Sequence, residues 1–125
     1  MKDFRRRQIW MAKLPSEGGS VQAGVRPVVI VQNDKGNKHS STVIIAPLTS
    51  QMKKLTQPTH AEIPSNQLTG LRVDSLAQME QVRTIPKNLL MGYVGECDQN
   101  TMNKVDRALA ISQGLIPDLN PELVQ

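Results

Sequence analysis

Arg26-Pro27-Val28-Val29-Ile30-Val31 and, after one short connection, Thr42-Val43-Ile44-Ile45-Ala46-Pro47-Leu48-Thr49 decide the fold. Each is a short run of β-branched residues between turn signals. Such a run reads as a buried strand. Pro27 suits a strand start, where its missing N–H does no harm. Pro47 marks a bend or an edge. Between the runs, Asp34-Lys35-Gly36-Asn37 reads as a turn. So short a connection makes the two strands antiparallel.

Working outward, residues 8–14 read as a half-buried strand, with Ile9 and Met11 on one face and Trp10 on the other. Residues 15–25, PSEGGSVQAGV, form a long loop of the kind that often carries function. After the polar exit Thr49-Ser50-Gln51, residues 59–63 alternate as a short strand. Residues 73–85 hold a strand, a kink and another strand. Pro86-Lys87-Asn88-Leu89 fits a brief helical turn with proline at its first position, and residues 93–97 form the last strand. One helix follows, capped by Asp98 or Asn100. Met102, Val105, Leu109 and residues 112–116 keep helical spacing, Lys104, Asp106 and Arg107 take the wet side, and Gly114 and Pro117 end it. The expectation is a mainly β (α+β) chain. Five to seven short strands make a small, partly open barrel with a C-terminal helix packed on it. One domain covers residues 1–117, and residues 118–125 form a loose tail.

Length and composition agree. A chain of 125 residues with 38% hydrophobic and 21% charged residues buries enough surface to fold without disulfides or metal. The single cysteine, Cys97, permits no internal disulfide and reads as a buried apolar residue. No apolar run approaches a membrane span. The basic N-terminus has no apolar stretch behind it, so it does not read as a secretory signal. The expected location is cytoplasmic. Phe4, Trp10 and Tyr93 are all the aromatics, too few for a base-stacking platform.

The net charge of +4 is unevenly spread. Residues 1–13 hold five cations against Asp3, and residues 26–54 hold five against Asp34. From Glu96 onward, five carboxylates face Lys104 and Arg107. A basic first half attracts polyanions.

The usual catalytic sets are missing. His39 and His60 have no partner at metal-ligand spacing, and no nucleophile elbow or phosphate-binding glycine loop occurs. What remains is polar groups at strand ends. If the two buried strands are neighbours, Arg26 and Thr49 converge at one rim. A guanidinium fork and a hydroxyl suit a phosphate. Glu80, Gln81 and Arg83 lie on a third strand that lines the same groove, or Glu80 and Arg83 form a structural ion pair.

At these segments the chain resembles the MazF/PemK family of toxin endoribonucleases. The resemblance rests on residues 22–30 (QAGVRPVVI), 32–34 (QND), 42–49 (TVIIAPLT), 58–63 (PTHAEI), Asp74-Ser75, 80–85 (EQVRTI) and 104–109 (KVDRAL). It covers nearly the whole chain in order. It implies an SH3-like barrel, a homodimer, and metal-free, cofactor-free, sequence-selective cleavage of single-stranded RNA, chiefly mRNA. It also implies a MazE-like antitoxin whose acidic tail occupies the groove, with DNA binding by the toxin–antitoxin complex. The family's catalytic arginine falls on Arg26 and its threonine on Thr49. Ser20, Gln22, Asn33 and Gln81 fall on groove positions.

The sequence departs from the family pattern in three places. Arg7-Gln8 stands where the family has Gly-Asp. Val21 stands where it has a glutamate in the long loop, which leaves the general base unassigned. Gln78 replaces an aliphatic residue, so that a polar group lies in the dimer groove or at a solvated edge. The implied mechanism uses the RNA 2′-hydroxyl as nucleophile, giving a 2′,3′-cyclic phosphate and a 5′-hydroxyl end. Two rivals remain: a catalytically weak or inactive module of the same fold that binds RNA or an antitoxin peptide, and an inhibitor of a DNA-handling enzyme.

Overall fold

A computed structural model describes residues 3–19, 21–52 and 57–118. Most of the expected tail, and Ser20, lie outside them. Seven strands form one sheet: β1 (Gln8–Leu14), β2 (Gly24–Ile30), β3 (Thr42–Thr49), β4 (His60–Ile63), β5 (Ser75–Gln78), β6 (Arg83–Pro86) and β7 (Leu90–Glu96). The order is β4-β5-β3-β2-β1-β7, and β6 also pairs with β3. Every pairing is antiparallel. The sheet curls into a partly open SH3-like barrel, closed on one side by α2 (Gln99–Ser112).

The continuous apolar runs are explained by two cores. Val29 and Val31 point into the core beneath α2, with Ile9, Met102 and Val105. Val28 and Ile30 point into the second, with Trp10, Ile45 and Leu90. Because both faces of β2 are covered, period-two alternation of polarity disappears there. β1 is shared in the same way, Ile9 entering one core and Trp10, Ala12 and Leu14 the other.

Several local expectations need correction. Residues 34–37 are not a turn but part of a short helix, α1 (Asp34–His39). Its stabilisers are side chains. Asn33 Oδ1 accepts the Gly36 N–H at 2.8 Å. The buried Asn37 donates to Gln32 O at 2.9 Å and to Asp34 Oδ1 at 3.0 Å. Pro27 lies inside β2, opposite Met11, rather than at its start. Pro47 is buried mid-strand and pairs with Val28. The other side of β3 changes partner there, from β6 at residues 42–45 to β5 at Leu48 and Thr49. A proline in that gap forfeits no bond to either neighbour on that side. The kink between β5 and β6 is a 3₁₀ turn, Met79–Gln81. Pro86 precedes the 3₁₀ turn Lys87–Leu89 as its cap, and β7 begins at Leu90, three residues earlier than the sequence indicates. Asp98, not Asn100, caps α2, accepting the Thr101 N–H at 2.8 Å.

The basic N-terminus is partly internal structure. Arg6 Nε donates to Val31 O at 3.0 Å, and its guanidinium pairs with Asp106 of α2. The Arg6 N–H donates to Asp34 Oδ1 at 2.7 Å. That backbone bond, aided by the Asn37 side chain and by Arg5 and Arg6, holds the Asp34 carboxyl below its usual range. A lowered folded-state pKa contributes stability that is complete above the unfolded value of about 3.9 and is lost as pH falls through the folded value. Acid unfolding below about pH 4 is therefore expected to be shallower in Asp34→Asn, as read by melting temperature against pH.

Arg7 explains the first family departure. Its φ is +84°, the sole positive φ among the described non-glycine residues. Its N–H donates to Ile30 O and its carbonyl accepts from Cys97, at 3.0 and 2.9 Å, so the conformation is held from both sides. An L-residue there costs about 1–2 kcal/mol, and glycine does not. Part of that gain is offset by glycine's freedom in the unfolded chain. Arg7→Gly should stabilise the protein by up to about 1 kcal/mol, visible as a melting point raised by a few degrees.

Candidate active site

β2 and β3 are neighbours, as the Arg26–Thr49 reading requires. Their ladder runs Val28↔Pro47, Val29↔Ala46, Ile30↔Ile45. The same register carried past Pro27 and Leu48 sets Arg26 opposite Thr49. Both residues line a cleft of about 810 Å³, together with Gln22 from the long loop and Arg72 and Val73 from the loop before β5.

Arg26 is half-buried, and backbone carbonyls orient it. Nε points to Ala23 O at 3.3 Å and Nη1 to Leu48 O at 3.4 Å. These contacts are long and leave most of the guanidinium's five donors available. Thr49 Oγ1 accepts the Gln51 N–H at 3.2 Å, which leaves its own O–H free to donate. No carboxylate occurs among the described residues lining the cleft, whereas two guanidinium groups do. Guanidinium and hydroxyl donors of this kind are able to bind a phosphate.

The long loop is strapped to the sheet. Gln81 Oε1 accepts the Gln22 N–H at 2.7 Å. Arg83 Nη1 donates to Pro15 O and Gln22 O, both at 3.3 Å, and Nη2 pairs with Glu17 at 3.2 Å. Gln81 thus stands one hydrogen bond behind the cleft, and Arg83 is a positioning residue. Arg83 does not pair with Glu80. Glu80 instead faces His60, with Nε2 to Oε2 at 2.9 Å, beside Thr59. The His60 side chain is 1% exposed. Asn33 also stands apart from the cleft lining, its side chain engaged in capping α1. Gln78 is neither at an edge nor solvated. It is buried opposite His60 on β5, and its Oε1 has no hydrogen-bond partner.

Val21 is exposed where the family pattern has a carboxylate. The loop's own carboxylate, Glu17, is turned to Arg83. Cys97 is fully buried and its thiol is pushed up to about 12, chiefly by burial, which keeps it protonated and unreactive. Sequence reading missed Arg72 and Glu17 as parts of the site. A lone arginine in a polar loop carries no periodic signal, and only the tertiary fold lays residues 70–73 along the cleft.

The family described as PemK-like, MazF-like toxin of type II toxin–antitoxin systems matches residues 5–112. The Endoribonuclease EndoA of Bacillus subtilis (strain 168) is 44% identical over 112 residues, covering 90% of this chain and 96% of the relative. A mycobacterial endoribonuclease, solved in complex with its cognate antitoxin, superposes with a TM-score of 0.70 at 29% identity, over 94% of this chain and all of the other. MazF from Deinococcus radiodurans shares the fold, with a TM-score of 0.77 at 16% identity over 91% of this chain and 99% of that one. With an arginine and a threonine set across two strands of an SH3-like barrel, and with a match over almost its whole described length, this chain belongs to the PemK-like, MazF-like toxins of type II toxin–antitoxin systems.

Proposed function

We propose that the protein cuts single-stranded RNA at selected sequences without a metal ion, using the RNA's own 2′-hydroxyl as nucleophile. The broad activity, endoribonuclease toxin of a type II toxin–antitoxin system, accords with its family and with its 44% identity to EndoA. The finer reading is carried by one observation, a cleft lined by Arg26 and Thr49 with no carboxylate among its described lining residues.

In this reading Arg26 neutralises the charge that builds on the phosphorus as the 2′-oxygen attacks. Thr49 donates a hydrogen bond to a non-bridging oxygen. The role of Arg26 in this reading is charge stabilisation. The bond from phosphorus to the 5′-oxygen breaks; water takes the proton from the 2′-hydroxyl and supplies one to the 5′-oxygen, leaving a 2′,3′-cyclic phosphate and a 5′-hydroxyl end. Gln22 reads a base edge or contacts the backbone from the strapped loop, with Gln81 fixing that loop and Ser20 and Asn33 as further RNA-binding residues. Unpaired bases differ at their edges, which is where such amide groups discriminate.

The protein works as a homodimer in the cytoplasm, with mRNA as substrate and a MazE-like antitoxin as its inhibitor. The toxin–antitoxin complex binds DNA. The antitoxin-bound mycobacterial relative supports that partner. Among the described residues no helix is long and apolar enough to cross a membrane. Residues 1–117 act as a single domain. An exposed Val21 in place of a loop carboxylate favours the second reading, a module that binds RNA or an antitoxin peptide but cuts slowly or not at all.

The test is incubation of the purified protein with a long mixed-sequence RNA in EDTA at low salt, followed by mapping of the new ends. Discrete cuts with 5′-hydroxyl ends are expected. Intact RNA from folded, antitoxin-free protein would select the binding module.

A further inference from the structure

We propose that Arg72 is a second phosphate-binding residue of this cleft, holding the RNA backbone from the loop wall while Arg26 holds it from the sheet. The inference rests on the ribonuclease reading above and names a residue that reading does not use.

Arg72 is exposed and lines the cleft that holds Arg26 and Thr49. Among the described residues it has no hydrogen-bond or ion-pair partner. Asp74, two residues on, forms no ion pair with it; its Oδ1 accepts the Ser65 N–H at 2.8 Å. A structural arginine would have a carboxylate or carbonyl to bind, as Arg6 and Arg83 do. Arg72 is a cation held ready without a counterion.

The loop that presents it is rigid on both sides. Ser65 Oγ donates to Leu71 O at 2.7 Å, and Thr69 Oγ1 donates to Pro64 O at 2.7 Å. Leu71 is buried in the core beneath α2. Gly70, at φ +68°, lies so close to β7 that a Cβ there would sit 2.1 Å from Val94 O. The guanidinium is therefore carried on a fixed base, so little loop entropy is lost when an anion arrives. Each wall offers the same pair, an arginine next to an exposed valine: Val25-Arg26 on β2 and Arg72-Val73 on the loop. A single strand lying between them would meet a cation on either side, with apolar surface for an unstacked base. An exposed, unoriented guanidinium reads charge, not sequence, which makes the phosphate its ligand.

The experiment measures binding of the full chain to an RNA that carries a 2′-deoxy residue at the mapped cleavage site, so that it binds uncut. Fluorescence anisotropy is read from 50 to 200 mM salt. Each phosphate contact contributes about 0.7 to the salt slope for a single strand. Arg72→Ala is expected to bind more weakly at low salt and to show a slope shallower by about 0.7. The wild-type advantage should then shrink by about 2.6-fold across that range. Arg72→Lys should keep the wild-type slope, because a point charge suffices. Arg107→Ala, which removes the same charge from the exposed side of α2, should also keep it. An unchanged slope in Arg72→Ala overturns the assignment. So does an equal loss in Arg107→Ala, which would reveal a general field effect. A changed cleavage motif with an unchanged slope would make Arg72 a base reader instead. If the wild type binds but leaves cleavable RNA intact, the nuclease reading falls while the slope still decides Arg72.

Discussion

Arg26→Ala protein is expected to lose RNA cleavage by a few hundredfold or more while keeping its fold. The rate effect follows from where the charge develops. In-line attack by the 2′-oxygen gathers negative charge on the phosphoryl oxygens, and a preorganised donor aimed at such charge is worth about 3–4 kcal/mol. That corresponds to a few hundredfold in rate, at ~1.4 kcal/mol per factor of ten. The fold should survive because the guanidinium's two described bonds are long, 3.3 and 3.4 Å, and both go to backbone carbonyls. Alanine also remains compatible with a strand already paired to β1 at Ala12. The measurement is the initial rate at one mapped site, with a thermal melt beside it. Cleavage at the wild-type rate by well-folded Arg26→Ala would remove the arginine from the mechanism.

Gly95→Ala should be strongly destabilising, costing about 3 kcal/mol. A Cβ at Gly95 would lie 2.3 Å from Thr69 O and 2.4 Å from Leu68 O. Both neighbours are backbone, and neither can rotate away. The Leu68 carbonyl is also fixed by the Glu96 N–H at 3.0 Å, so the loop cannot retreat without losing that bond. Gly92, in the same strand, has open space where a Cβ would go. Gly92→Ala should therefore change stability by less than about 0.5 kcal/mol. Melting temperatures should separate the two variants by about 10 °C. Equal melting points would mean that residues 64–74 are not seated on β7 as described. Because that loop carries Arg72 and Val73, Gly95→Ala should also weaken RNA binding at temperatures below its melt.

The strand runs were legible because their signal is local. Val28–Val31 and Val43–Ala46 are β-branched, bounded by turn residues and too short for helices, and the structure contains them as β2 and β3. The capped, amphipathic α2 was equally plain, with Met102 and Val105 on its buried face. α1 was not legible. Its sequence, DKGNKH, contains a glycine and three poor helix formers, Asp34, Asn37 and His39. It exists because Asn33 caps the Gly36 N–H and Asn37 bonds both the backbone and the side chain of Gln32, and propensity does not register such side-chain bonds.

The sequence by itself determined the fold class and the order of the main strands and the closing helix, and it singled out Arg26 and Thr49 as candidates for a phosphate. These depend on residue type, spacing and chain order, all of which survive without coordinates. Only the tertiary structure decided what stands around them. Register across β2 and β3 sets Arg26 opposite Thr49, because pairing places residues by partner and not by sequence distance. Charge partners followed the same rule: Arg83 is far from Glu17 in the chain yet bonds it, while nearby Glu80 turns to His60. Two glycines seat a loop against β7 and bring Arg72 to the cleft. An ion pair or a cleft wall needs atoms within a few ångströms, and for residues distant in the chain only the folded path supplies that proximity.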